Sequence, residues 1–144
     1  MKRAGVAAAL MAATLLVGGC STATLSATSG PTAAAAPAAG SSLSASDFAA
    51  AAKLPNTILL DVRTPSEFAA GHIAGAVNLD VQSATFPQML TTLDPAKNYA
   101  IYCHSGNRSK AAMTAMQQNG FSHLFDLAGG IGAWQSAGGP VATG

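Results

Sequence analysis

Short apolar runs alternate with helical patterns from Leu43 onward. Four runs that are rich in β-branched and aromatic residues predict buried strands. They cover residues 57–62, 76–79, 99–102 and 123–127. Helical patterns lie before, between and after these runs, at residues 46–53, 65–70, 86–93 and 109–118 and around Trp134. Strands that alternate with helices in this order predict an α/β domain with a mainly parallel sheet.

The helix after the first of these strands has a clear start signal. Thr64 is placed to cap its N-terminus, Pro65 suits the first helical position, and Glu67 completes a capping box. At the end of the preceding strand we expect Asp61 to make a buried hydrogen bond. We expect Arg63 to pair with Glu67, because side chains four residues apart lie on one face of a helix.

The first twenty residues have the pattern of an export signal. Met1 to Arg3 carry the positive charge, and residues 4–17 are almost entirely apolar. That run suits a signal peptide and is too short for a comfortable membrane span. With Gly18-Gly19 before Cys20, the segment resembles a bacterial lipoprotein signal, so we predict a signal peptide over residues 1–19 and a lipid on Cys20. An ordinary secretory signal with an incidental cysteine is the alternative.

A lipidated Cys20 would hold the protein on a membrane surface without spanning the membrane. We therefore expect an exported protein that is anchored by lipid at the extracytoplasmic face of the cell envelope. Residues 20–42 are almost entirely Ala, Ser, Thr, Gly and Pro, with Leu25 as the one large apolar residue. Such a segment cannot offset the entropy of ordering, so we predict a flexible tether. Residues 43–144 are long enough for one hydrophobic core.

Charge and histidine content exclude two classes of function. Seven Lys and Arg stand against six Asp and Glu, and the one basic run is Lys2-Arg3. Binding to a phosphate backbone needs clustered basic residues, so we expect no nucleic-acid partner. The histidines have no zinc-like spacing, and we expect neither a metal nor a cofactor. His72 is expected to close a turn by hydrogen bonding, and His123 to be exposed.

Cys20 and Cys103 are the only cysteines in the chain. They could form one disulfide. If Cys20 carries lipid, however, Cys103 is an unpaired thiol in an oxidising compartment and a candidate nucleophile. Cys103 also begins a loop between a predicted strand and a predicted helix. The backbone N–H groups of such a loop, at the positive end of the helix dipole, stabilise a thiolate and lower its pKa.

The same loop supplies the other candidate site residues. Gly106 permits a sharp turn, and Arg108 adds a fixed positive charge at the rim. His104 either tunes the pKa of Cys103 or faces solvent. We take Cys103 as the catalytic nucleophile. Substrate binding is assigned to the rest of the loop: His104, Ser105, Gly106, Asn107, Arg108 and Ser109.

Five motifs occur in order along the domain: Asp61-Val62-Arg63, Glu67-Phe68, Gly71-His72-Ile73 with Gly75-Ala76, the Cys103 loop, and Gly129-Gly130-Ile131 with Ala133-Trp134. They resemble the successive motifs of a rhodanese domain, over about residues 44–139. The resemblance implies a five-stranded parallel sheet flanked by helices. It also implies that Cys103 takes a sulfane sulfur from thiosulfate or a persulfide and passes it to a thiophilic acceptor such as cyanide or a thiol. The acceptor could also be a protein, and we expect a monomer.

Other functions on the same fold remain as alternatives. Related phosphatases and arsenate reductases have a longer loop, whereas the four residues between Cys103 and Arg108 suit a single sulfur atom. A binding module, or a sulfur relay that needs a protein partner, is a second alternative; the intact loop argues against an inert site. Several family members carry Lys or Arg beside the cysteine or in mid-loop. Here Arg108 is the only permanently charged loop residue, so the natural donor need not be thiosulfate.

Overall fold

A computed structural model describes residues 35–144. The predicted signal peptide, Cys20 and most of the predicted tether lie outside these residues. The described elements are β1 (Ser41–Leu43), α1 (Ala45–Ala51), β2 (Thr57–Asp61), α2 (Pro65–Ala70), β3 (Val77–Asn78), α3 (Phe86–Leu90), β4 (Asn98–Tyr102), α4 (Asn107–Gln118), β5 (Leu124–Leu127) and α5 (Gly130–Ser136). Within this part of the chain, no helix is long and apolar enough to cross a membrane.

The five strands form one sheet in the order β1-β5-β4-β2-β3. Every neighbouring pair is parallel. The prediction of an α/β fold with a five-stranded parallel sheet flanked by helices is therefore confirmed. Parallel order places the carboxyl ends of all strands at one edge of the sheet, and in such folds ligands bind beyond that edge.

Helices cover both faces of the sheet, so the central strands are apolar on both sides. On one face, Tyr99 and Ile101 of β4 pack with residues from α3 and α4. On the other face, Ala100 and Tyr102 of the same strand pack with residues from α1 and α5. Consecutive residues of β4 thus pack into the two hydrophobic cores on opposite faces of the sheet. This double burial fixes the position of β4, whose end leads directly into Cys103.

The predicted start of α2 is confirmed in detail. The Thr64 hydroxyl accepts a hydrogen bond from the backbone N–H of Glu67, and the Glu67 carboxylate accepts one from the backbone N–H of Thr64 at 3.1 Å. Pro65 occupies the first helical position. The capping box therefore fixes the Glu67 side chain at the amino end of α2.

The tether prediction is wrong at its carboxyl end, because Ser41 and Ser42 belong to β1. This strand pairs with β5, with Leu43 opposite Leu127. The backbone N–H of Gly40 also donates to Leu124 O at 2.7 Å. A strand of three residues, two of them serine, has no apolar pattern of its own. β1 adopts the strand conformation because it pairs with β5, which lies far along the chain.

Candidate active site

Cys103 directly follows β4 and is 1% exposed. Gly106 closes the loop above it with a φ of 103°, in the left-handed region that favours glycine. This turn points the Gly106 N–H at Cys103, and the N–H donates to Sγ at 3.0 Å. The chain then enters α4 at Asn107, two residues before the predicted helix start. The predicted cradle of backbone donors at a helix N-terminus is therefore present around the sulfur.

The loop favours the thiolate form of Cys103. Burial alone raises the pKa of the Cys103 thiol, but the backbone N–H groups of Ser109, Gly106 and Ser105 outweigh burial and lower the pKa below its ordinary value. A hydrogen bond to a charged group stabilises that charged form. The arrangement thus favours the nucleophilic thiolate form of Cys103.

The start of α5 supports the loop from the other side. The Ile131 N–H donates to Cys103 O at 2.8 Å, and the Gly132 N–H donates to His104 O at 3.3 Å. A Cβ atom on Gly130 would lie 2.4 Å from Cys103 O and 2.5 Å from the His104 carbonyl carbon. Gly130 therefore allows the backbone of α5 to approach the nucleophile loop, a role that the sequence motif alone did not reveal.

Ser109 joins Cys103 to a buried carboxylate. Its hydroxyl oxygen lies 3.8 Å from Cys103 Sγ and 2.7 Å from Oδ2 of Asp126. Ser109 and Asp126 are both fully buried. Sequence reasoning assigned Ser109 to the site but missed Asp126. The available signal was a lone acidic residue inside the apolar run 124–127.

Arg108 does not present an uncompensated charge to the loop. Its guanidinium forms two hydrogen bonds of 2.7 Å with the two carboxylate oxygens of Glu67. The hydrogen bonds from Arg108 lower the pKa of Glu67 to about 2. The Arg108 side chain keeps 25% of its surface exposed, so it lies at the rim as predicted, but as half of an ion pair.

The predicted pair between Arg63 and Glu67 is wrong. Arg63 instead binds Asp61 through Nε, at 2.9 and 3.0 Å from the two carboxylate oxygens. Asp61 therefore has the buried hydrogen bonds that we expected. Glu67 is held in the capping box and forms its ion pair with Arg108, which is 41 residues away in sequence.

The other polar loop residues, His104, Ser105 and Asn107, are exposed. The Ser105 backbone N–H faces the sulfur. Substrate contacts for these side chains stay a prediction. His72 binds Phe68 O through Nδ1 at 3.0 Å, as a turn-closing residue should, and His123 is exposed as expected.

Neither a cluster of metal ligands nor the main cavity of the described residues coincides with the Cys103 loop. Residues 35–144 contain no cluster of three or more His, Cys, Asp or Glu that could hold a metal ion. A cavity of about 850 Å³ lies between α1, β2 and α5, with Phe48, Leu59, Ile73 and Trp134 in its wall. No residue of the Cys103 loop lines this cavity.

The fold and the loop define a class of protein, and the sequence matches the same class. Residues 44–137, well over half of the chain, match the rhodanese-like domain family. The protein therefore belongs to the rhodanese-like domain family.

Its similarity to named proteins points in the same direction. A sulfurtransferase of Allochromatium vinosum is 35% identical over 86 residues, which are 60% of this chain and 78% of that protein. The thiosulfate sulfurtransferase GlpE of Pseudomonas entomophila is 32% identical over 88 residues, or 61% of this chain and 79% of the relative. Among solved structures, a rhodanese-related protein from Thermoplasma volcanium has a TM-score of 0.64 and 34% identity, over 72% of this chain and 99% of that one.

Proposed function

We propose that this protein is a sulfurtransferase that carries a sulfane sulfur as a persulfide on Cys103. The observation that carries the proposal is the sulfur cradle: Cys103 Sγ lies at the carboxyl edge of the sheet, 3.0 Å from the Gly106 N–H. The pKa of Cys103 is lowered by the loop N–H groups. The names of the relatives support the same chemistry.

Loading begins when the Cys103 thiolate attacks the outer sulfur of the donor. With thiosulfate, an S–S bond forms to Cys103, the S–S bond of thiosulfate breaks, and sulfite leaves with the electron pair. The negative charge then lies on the outer sulfur of the persulfide. Unloading reverses the pattern, because an acceptor such as cyanide attacks the outer sulfur and Cys103 leaves as a thiolate. The loop N–H groups stabilise the anion in both states.

Phosphatase and arsenate reductase activity fit the loop less well. Four residues lie between Cys103 and Arg108, so this loop has fewer backbone N–H groups to surround a tetrahedral anion than the longer loop of the related phosphatases and arsenate reductases. Arg108 is also held by Glu67. An inert binding module would not need donors converging on a sulfur whose pKa they lower. Sulfur transfer, in contrast, needs both the short loop and the N–H donors around Cys103 Sγ.

Intact mass spectrometry tests the proposal directly. After brief exposure to thiosulfate or to an organic persulfide, the reduced protein should gain the mass of one sulfur atom. Cyanide or a thiol reductant should remove it, and the Cys103→Ser variant should never gain it. Failure of both donors to load the folded, reduced protein would rule out sulfur transfer.

We also propose that the protein is exported and held at a membrane surface by a lipid on Cys20. The support is the sequence of residues 1–20, with its basic start, apolar run and small residues before the cysteine. Lipid attachment and sulfur chemistry would then fall on different cysteines. The Cys20→Ser variant should move from the membrane fraction to the soluble fraction and still load sulfur on Cys103. Retention of this variant in the membrane fraction after cleavage of its signal peptide would contradict the anchor.

A further inference from the structure

The fully buried carboxylate of Asp126 lies close to Cys103, and neither sulfur loading nor unloading involves it directly. Asp126 Oδ2 accepts a hydrogen bond from Ser109 Oγ at 2.7 Å, and Oδ1 accepts one from Ser42 Oγ at 2.5 Å. Within residues 35–144, no Lys, Arg or His forms an ion pair with Asp126. Burial of a carboxylate without a cation is costly, and when it occurs beside a nucleophile it points to function.

The Ser109 hydroxyl has one hydrogen and three acceptors within reach. Asp126 Oδ2 lies at 2.7 Å, Gly106 O at 2.9 Å and Cys103 Sγ at 3.8 Å. A charged acceptor at the shortest distance takes the hydrogen. The hydroxyl hydrogen therefore points to Asp126, and the Ser109 side chain lowers the pKa of Cys103 less than the backbone N–H groups of the loop do.

We propose that Asp126 is a positioning residue for sulfur transfer, which holds the Ser109 hydroxyl away from donation to Cys103 and keeps a negative charge behind Sγ. The proposal rests on the persulfide chemistry above and goes beyond it, because it assigns a role to the carboxylate. In the resting site, the negative charge of the thiolate is on Sγ, close to Ser109 and Asp126. In the loaded site, it is on the outer sulfur, one S–S bond farther from Asp126.

Like charges repel more strongly at shorter distance, and more so in a buried site. Asp126 therefore destabilises the thiolate more than the persulfide. The result is a more reactive thiolate and a loading equilibrium that is shifted toward the persulfide. The loop N–H groups act in the opposite sense and keep the thiolate accessible near neutral pH.

The other groups around Cys103 do not duplicate this role. Arg108 of α4 acts on Cys103 with a positive charge, and Glu67 pairs with it. Tyr102 of β4 has its pKa raised by burial and stays neutral. His104 is exposed, and α5 has no titratable side chain. Among residues 35–144, Asp126 is thus the buried carboxylate that is linked to Cys103 Sγ through a hydroxyl.

The Asp126→Asn variant of the full chain tests the proposal by two measurements. The amide can donate to Ser109, which frees the hydroxyl hydrogen for the thiolate. The apparent pKa of Cys103, followed through the pH dependence of its alkylation by iodoacetamide with peptide mass spectrometry, should fall by about one unit. One unit of pKa corresponds to a tenfold stabilisation of the thiolate, and the persulfide is stabilised by part of the same amount. At a fixed ratio of sulfite to thiosulfate, the ratio of persulfide to thiolate should therefore fall by about threefold.

Asp94→Asn is the matched control, because it removes an exposed carboxylate at the opposite end of β4 and should leave both quantities unchanged. A folded Asp126→Asn variant whose Cys103 pKa is unchanged or raised would overturn the proposal. If this variant does not fold, Asp126→Ser, which leaves room for a water molecule, repeats the comparison. If the parent takes up no sulfur, the proposed function fails, whereas the alkylation profile still decides whether Asp126 raises the pKa of Cys103.

Discussion

At the scale of single residues, the charged side chains Asp61, Glu67 and Asp126 near the site are each held by specific polar partners. Asp61 holds Arg63, Glu67 holds Arg108, and Ser109 holds Asp126. The positive charge at the rim is therefore already shared with a carboxylate before any donor arrives. If the protein transfers sulfur as proposed, an anionic donor would have to compete with Glu67 for Arg108.

The pair of Glu67 and Arg108 predicts a specific dependence of stability on pH. The pKa of Glu67 is lowered from 4.5 to about 2, so its stabilisation is present above pH 4.5 and is lost as the pH falls toward 2. Because both side chains are partly exposed, we expect a loss of about 1 kcal/mol. Glu67→Gln keeps an acceptor for the capping box and should lack this loss. The measurement is urea unfolding of parent and variant between pH 6 and pH 3.

Arg108→Gln is the complementary control. It removes the partner and leaves the Glu67 carboxylate in the capping box, so its unfolding free energy should show a weaker dependence on pH than that of the parent. Equal pH slopes in the parent and in both variants would show that the ion pair does not contribute.

At the scale of elements, the site depends on the close approach of α5 to the loop that joins β4 to α4. Gly130 has a φ of 60°, and a Cβ atom there would overlap the backbone of Cys103 and His104. That contact fixes the carbonyl groups of the loop, while Gly106 directs its N–H groups at the sulfur. Two glycines on different elements thus shape one cradle.

Gly130→Ala should displace the nucleophile loop. We expect sulfur loading to fall by about 10²-fold or more, because the preorganised N–H donors are lost, and the protein to be destabilised by about 2–3 kcal/mol. Gly120→Ala is the matched control, since Gly120 also has a positive φ, of 87°, but open space around its Cα. It should be destabilised by only about 1–2 kcal/mol and load normally. Similar loading by both variants would refute the clash at Gly130.

At the scale of the whole molecule, the domain extends upstream of the family match. That match begins at residue 44, whereas β1 begins at Ser41. β1 covers one edge of β5 and supplies Ser42, which donates to Asp126. The edge strand therefore contributes to both the sheet and the surroundings of the nucleophile.

A chain that starts at Ser44 should be less stable than one that starts at residue 35. Loss of the β1 pairing and of the Ser42 hydrogen bond should cost about 1–3 kcal/mol, because β5 becomes an edge strand and Asp126 loses a donor. Chemical denaturation of the two chains measures the difference. Identical midpoints and slopes would mean that β1 adds nothing to the fold.

The sequence by itself determined the α/β class, four of the five strands, the start of α2 and the nucleophile loop. These are local properties: apolar runs, a capping box within four residues, and a cysteine between a strand and a helix. Tertiary structure decided the rest, because the partners are far apart in the chain. β1 exists through pairing with β5, Arg108 finds Glu67 across 41 residues, and Ser42 reaches Asp126 across 84. The local pattern of apolar and polar residues does not predict such contacts, since they form only when the sheet brings the segments together.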